Sequence, residues 1–370
     1  MKNNEYTTIL KEKLSEMFDR KYVFLTGRAT TAIYLALKAM KKVMKVKTGN
    51  VVLPDILCPS PANAVLYAGL KPIFCDVNLY DYNMNIDSLS DVITKETRAI
   101  IPVHLFGQPA EMDKIEQLAE DNNLFVIEDA AQAIGGEYKG KKLGSFGDVS
   151  IFSFGGKIVD GRDGGALLTD SVQIAKSVES EIEKLQHKPS NLNQRYDEYK
   201  QYFYKAADIQ DTYKRKCLFL AMPYLYEDLY LYKFEEEIAE KIYLELGNLE
   251  ENTLRRKENA KMYRKKLQHP YIIHPKYKYN GTIYRYSILL KGNYQKKVTR
   301  ELRERGYDAS NLYYVPLHEM YLSNQKEEIF KNARYISRHI LNLWVEPQIT
   351  KEYIAGVCKT ILNVLNGGDK

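Results

Sequence analysis

The chain predicts an α/β fold built on a mainly parallel sheet, followed by a smaller second α/β lobe, and three observations carry that reading. Short, near-continuous apolar runs alternate with amphipathic helical patterns from about residue 20 to 170. The texture changes beyond about 235, where long helical patterns take over. Two charged residues, Asp129 and Lys157, stand just where apolar runs end. Apolar runs separated by helices imply strands covered on both faces. Ligands on such sheets sit where strands give way to loops.

Taken in order, the runs at 51–53, 73–75, 99–101, 124–127, 149–152 and 166–168 read as strands. Between them, Ala29, Ala32, Ile33, Ala36, Leu37 and Met40 share one helical face, and Met112, Ile115, Leu118 and Ala119 share another. Further on, Ile238, Ile242, Leu246 and Leu249 form a stripe along a long helical pattern. An alternating run TIYRYSILL, a helix around VTRELRERG and a closing helix near 353–362 complete the smaller lobe. The division is drawn as a large lobe at 1–235 and a small C-terminal lobe at 236–370. Residues 171–234 fit this pattern poorly and are rich in tyrosine. They read as a helical hairpin packed on the core or on a dimer partner. An active-site lid and a membrane-surface patch are the alternatives. A surface anchor sets lysines opposite an apolar face; here they are scattered, which favours packing.

Composition excludes several classes. With 370 residues, 45% hydrophobic and 28% charged, the chain can bury a sizeable core as two lobes. A net charge of +6 suits an anionic substrate, yet the 54 basic and 48 acidic residues are interspersed, which argues against nucleic-acid binding. Cys58, Cys75, Cys217 and Cys358 show no CxxC or zinc spacing, so reduced thiols in a cytoplasm are expected. The opening MKNNEYTTILKEKLSEMF lacks the apolar core of a signal peptide, and no stretch approaches the roughly 18 apolar residues of a membrane span. No HExxH, paired His/Cys or acidic triplet indicates a metal. GRDGGA lacks GxGxxG spacing and precedes a strand-like run, so it is a poor dinucleotide fingerprint.

Asp129 closes the apolar run in LFVIEDAAQA, and Lys157 follows another in GDVSIFSFGGKIVDGRDGGALL. A carboxylate at one strand end and an amine beyond another are what pyridoxal 5'-phosphate needs from a protein: one to keep the pyridine nitrogen protonated, one to form the Schiff base and shuttle protons. On its own the pair is weak, because a lysine in a Gly-rich loop is ordinarily a solvated surface residue. The segments VVLPDILCPSPANAVLYAGLKPIFCDV, TRAIIPVHLFGQPAEMDKI, FVIEDAAQAIGGEYKGKKLGSFGD and FSFGGKIVDGRDGGALLTD occur together and in order. With YYVPLHEMYL and ILNLWVEPQITKEYIAGVCKTIL downstream, the chain resembles the DegT/DnrJ/StrS sugar aminotransferases, a family of fold-type I pyridoxal enzymes. The likeness is close over 20–170, looser from about 235 to 365, and weak at about 171–234.

The resemblance implies roles residue by residue. Lys157 matches the Schiff-base lysine, which favours transamination over the sugar dehydratases of the same group. Asp129 matches the pyridinium partner, and Gln132 the contact to the cofactor's phenolic oxygen. Thr30 and Thr31, in TGRATTAIYLAL, align beside the phosphate, although plain helix caps would look the same. Ser153 resembles the phosphate-binding serine but stands four residues before Lys157, where the family usually has five. Cys58 falls where the family stacks an aromatic ring on the cofactor. LYLYKFEEEIAEK takes the place of a polar element that reaches into the partner's site, leaving Lys233 as either a charge for a phosphate across the interface or a solvated lysine. His318 and Tyr314, in YYVPLH, resemble the segment nearest the substrate, though such a His can equally cap local backbone. His104 reads as structural, holding the loop after its strand.

The implied activity moves an amino group from an amino-acid donor, with glutamate expected, to a nucleotide-linked keto-sugar in glycan or polysaccharide biosynthesis. Pyridoxamine phosphate would be the intermediate cofactor form and a homodimer the expected assembly. Two rivals remain: a pyridoxal enzyme acting on a small or lipid-linked carbonyl compound, and a catalytically silent scaffold.

Overall fold

A computed structural model of the chain describes residues 2–310, 315–321 and 325–367, with side chains from residue 5. Seven strands form the central sheet: β1 Tyr22–Thr26, β2 Asn50–Pro54, β3 Lys71–Cys75, β4 Thr97–Ile100, β5 Phe125–Asp129, β6 Val149–Ser153 and β7 Gly165–Thr169. Their order across the sheet is β1-β7-β6-β5-β4-β2-β3. The pairs among β2 to β6 are parallel, and β7 runs antiparallel to both β6 and β1. The carboxyl ends of β1, β2, β4, β5 and β6 therefore share one edge of the sheet. Strands β5 and β7 are buried at every position, including Glu128 and Asp129 at the end of β5.

Strand β1 is absent from the expected set. YVFLT is short and half-exposed over its first three residues, and its pairing partner β7 lies far along the chain. The helix Ala29–Val43 follows it directly and buries Ala32, Ile33, Ala36, Leu37 and Met40, the stripe seen in the sequence.

The expected long helix after 238 is broken at Gly247-Asn248 into Ala239–Gly247 and Leu249–Lys266. Ile242, Leu246 and Leu249 pack with Leu10 and Leu14 of the N-terminal helix and with Phe152 of β6. From this packing we propose that the large lobe continues past 235/236 and that the division lies within Leu249–Lys266. The small lobe holds a three-stranded antiparallel sheet of Ile272–Ile273, Tyr286–Leu290 and Ile340–Leu343, covered by the helices Tyr294–Glu304 and Lys351–Asn366.

Residues 171–234 are helical: Val172–Ile182, Leu192–Ala207 and Thr212–Leu225. The last two form a hairpin whose Tyr199, Phe219, Met222 and Tyr226 join the main core. Tyr230 and Tyr232 follow into that core, while Tyr202, Tyr204, Tyr213, Tyr224 and Leu225 are left exposed. Among the described residues no helix is long and apolar enough to cross a membrane.

Candidate active site

The carboxyl edge of the sheet gathers most of the singled-out residues. Asp129 ends β5, in register with Ile151 of β6, and its backbone pairs with Pro102 and His104 beyond β4. Its Oδ1 accepts the Ala131 N–H at 3.0 Å. Burial pushes the Asp129 carboxyl above its ordinary range, against the pull of the Ala131 N–H, His104 and Lys157. No basic side chain forms an ion pair with it among the described residues. A cationic ring nitrogen would supply the missing partner.

Lys157 lies half-buried in the loop between β6 and β7. Its Nζ sits 4.7 Å from the centroid of the Tyr284 ring. The small lobe holds this loop in place: the Tyr284 hydroxyl donates to the Gly156 carbonyl at 3.2 Å, and the Asn252 amide to the Ile158 carbonyl at 3.0 Å. The charge of Lys157 is felt at both Asp129 and Cys58, so the three residues share one electrostatic site. Cys58 stands at the start of the helix Pro59–Tyr67, three residues beyond β2's following Asp55. Burial raises its thiol, and Asp129 adds to that while Lys157 opposes it. The neutral thiol offers a polarisable sulfur to a ring face, not a charge.

The helix Ala29–Val43 starts at the end of β1 with no side chain capping it, so its first N–H groups suit an anion. Thr30 is buried at this start. Thr31 is fully buried and its hydroxyl donates to the Tyr230 carbonyl, so only its backbone remains for a phosphate. Ser153 ends β6 opposite Gly165, half-buried beside the same edge. Gln132 turns its amide oxygen toward the Phe106 N–H at 2.9 Å. Lys233 lies in a strap laid along β1: Gly27 N–H donates to the Tyr232 carbonyl at 3.0 Å, and Thr26 bridges Lys233.

His318 lies differently. His318 is buried, its Nδ1 2.6 Å from Asp55 Oδ2 and its N–H donating to Asp55 Oδ1 at 2.7 Å. Its ring stacks on Phe330 with centroids 4.2 Å apart. In this arrangement His318 fastens its turn to the loop after β2. Tyr314 lies outside the described residues. His104 bridges Glu128 through Nε2 at 2.9 Å and accepts the Ala110 N–H at Nδ1, which fixes the loop after β4.

Sequence reasoning missed two groups. Arg28, at the helix start, donates to the Tyr232 hydroxyl at 2.7 Å, and that hydroxyl donates to Asp163 at 2.8 Å. Lys188 pairs with Asp163 at 3.1 Å and closes this network beside the phosphate-suited end. The second group is Tyr284, Arg285 and Trp344, which line a cleft of about 960 Å³ together with Lys157. Neither group has a spacing signal, because each is assembled from distant parts of the chain.

The residues at this edge fit pyridoxal phosphate: an uncapped helix start for its phosphate, a buried carboxylate for its ring nitrogen, and a lysine in the loop after β6. A model of the DegT/DnrJ/EryC1/StrS aminotransferase family matches residues 1–362. GDP-perosamine synthase of Escherichia coli O157:H7 is 27% identical over 361 residues, covering 96% of this chain and 89% of that protein. The GDP-perosamine synthase of Caulobacter vibrioides is 41% identical over 157 residues, 42% of this chain and 41% of that protein. The Helicobacter pylori aminotransferase involved in the biosynthesis of pseudoaminic acid superposes with a TM-score of 0.79 at 20% identity, covering 98% of this chain and 91% of that one. The chain belongs to the DegT/DnrJ/EryC1/StrS aminotransferase family.

Proposed function

We propose that this family member is a pyridoxal-phosphate-dependent aminotransferase that moves an amino group from an amino acid, glutamate being the expected donor, to a nucleotide-linked keto-sugar. The observation that carries the reading is the convergence of Lys157, Asp129 and Cys58 at one sheet edge beside an uncapped helix start. The relatives named above for GDP-perosamine synthesis support a nucleotide-sugar substrate. Sugar amination in the cytoplasm, by a homodimer, is the setting in which these features make sense together.

When bound, the cofactor supplies an electron-withdrawing ring and a carbonyl for amine exchange. Asp129 holds the proton on the ring nitrogen by charge attraction. Lys157 Nζ accepts a proton from the substrate carbon and returns one, from a loop that Tyr284 and Asn252 keep in position. The helix start at 29–31 would hold the cofactor's phosphate through its free N–H groups. Cys58 would offer its polarisable thiol to a face of the cofactor ring.

Incubating the purified protein with glutamate and a set of nucleotide-linked keto-sugars, followed by mass spectrometry, tests the reading. The expected product carries an amine where the carbonyl oxygen was. No amination of any nucleotide sugar, by a protein that holds its cofactor, would reject the substrate class. Lys157→Ala is expected to lose both the visible absorbance of the lysine-bound cofactor and all turnover while staying folded, because a half-exposed loop lysine contributes little packing.

A further inference from the structure

The cleft that contains Lys157 has a second end, built by the small lobe. Arg285 is only 5% exposed there. Its guanidinium carbon lies 3.6 Å from the Trp344 ring centroid and 4.3 Å from that of Tyr284. One terminal nitrogen donates to the Tyr284 carbonyl at 2.9 Å and pairs with Glu346. The head group is thus clamped between two rings and fixed at one corner. The Arg285 Nε–H and the Trp344 Nε1–H, however, find no acceptor among the described residues, although both atoms are buried. Two buried donors left without acceptors in the wall of a cleft are costly, and are retained where a ligand supplies the acceptors.

We propose that Arg285 and Trp344 are the residues that recognise a carboxylate of the amino-acid donor. This rests on the aminotransferase reading above. Tyr284 relates the two ends of the cleft, because Lys157 and Arg285 both stack on its ring. An amino acid laid along that ring has its amine at the Lys157 end and a carboxylate at the Arg285 end. Two N–H donors, one from each residue, match the two oxygens of one carboxylate, and the Arg285 donor is charge-assisted. A sugar-linked diphosphate is a poorer occupant. The cleft's cations Lys157, Arg255, Arg256 and Arg285 are balanced by Asp160, Glu245, Glu251 and Glu346, which leaves no net charge for a polyanion.

Trp344 is also the chain's single tryptophan, so its emission reports on this end of the cleft alone. The holoenzyme would be titrated with glutarate, which has the carboxylates of glutamate but no amine, and separately with GDP. Glutarate is expected to change Trp344 emission saturably. Arg285→Gln is expected to weaken glutarate by about tenfold or more, the scale of a lost hydrogen bond to a charged group, and to leave GDP binding unaltered. Trp344→Phe, followed by calorimetry, keeps the ring but removes the N–H and is expected to weaken glutarate several-fold; it tests the site even if the Arg285 variant misfolds. The KM for glutamate in both variants should rise more than kcat falls. Unchanged glutarate affinity in both variants overturns the proposal, as does a loss confined to GDP, which would give this end to the nucleotide. No keto-sugar is present in the titration, so a failure of the sugar assignment leaves the result readable.

Discussion

A carboxylate buried at a strand end without a basic partner is destabilising unless something cationic comes to face it. Asp129 is in that position: burial raises its carboxyl, and its accepted hydrogen bond is from the Ala131 backbone. The ring nitrogen of a bound pyridoxal supplies the missing charge. Asp129→Asn keeps a hydrogen-bonding group of the same shape but cannot hold the ring nitrogen protonated. It is expected to retain cofactor while losing about 10²-fold in rate, or about 2.7 kcal/mol of transition-state stabilisation. The sign with pH follows from the raised carboxyl. Ionised Asp129 pairs with the protonated ring, so cofactor affinity should fall as pH drops through the carboxyl's raised value. The Asn variant should lack that limb. Titrations of cofactor absorbance across pH in both proteins check this, and near-wild-type turnover in the variant would mean that another acid serves the ring. At this scale the sequence was readable where a residue type carries its own chemistry at a strand end, as for Asp129 and Lys157. It was unreadable for Arg285 and Trp344, whose meaning comes only from their stacking across two small-lobe elements.

The strap at 230–234 shows what decides an element when periodicity says little. Its sequence, YLYKF, reads equally as loop, strand or helix start. The structure lays it against β1, where Gly27 N–H donates to the Tyr232 carbonyl and the Tyr232 hydroxyl joins Arg28 to Asp163. Gly27 permits the approach: a Cβ there would stand 2.1 Å from the Tyr232 ring and 2.7 Å from its carbonyl oxygen. Gly27→Ala is therefore expected to push the strap away and to cost about 1–3 kcal/mol, the range for overpacking a tight contact. Cofactor affinity should fall with it, because the strap abuts the helix start suited to the phosphate. Gly247→Ala is the matched control, since a Cβ there meets nothing within 4 Å and should shift stability by no more than about 1 kcal/mol. Equal urea midpoints for the two variants would remove the strap from the account. The same reasoning explains why β1 escaped the sequence reading: its antiparallel pairing with β7, five residues in register, joins segments far apart in the chain. The central strands β2 to β6 were legible because burial on both faces leaves an unbroken apolar run.

For the molecule as a whole, the open question is what covers the outer face of the 192–225 hairpin. Its inner face is settled by packing, with Tyr199, Phe219, Met222 and Tyr226 in the core. The tyrosines at 230 and 232 also turn inward, so this end of the 171–234 segment packs on the core. What remains outside is Tyr213 at 71% exposure and Leu225 at 66%, and Tyr202, Tyr204, Leu218 and Tyr224 are exposed as well. An apolar and aromatic face of this kind is characteristic of an interface centre, and most homo-oligomers are two-fold dimers. We expect a homodimer that buries part of this face near the strap and the phosphate-suited helix start. Placing a charge at its centre should be costly only if the face is covered, since a buried unpaired carboxylate is destabilising and an exposed one is nearly neutral. Leu225→Glu is therefore expected to shift the protein toward monomer by light scattering and to weaken cofactor retention, with little change in secondary structure. A wild-type monomer that binds and turns over its cofactor would refute the dimer. A dimer indifferent to Leu225→Glu would move the interface off this hairpin and leave the exposed tyrosines to another partner.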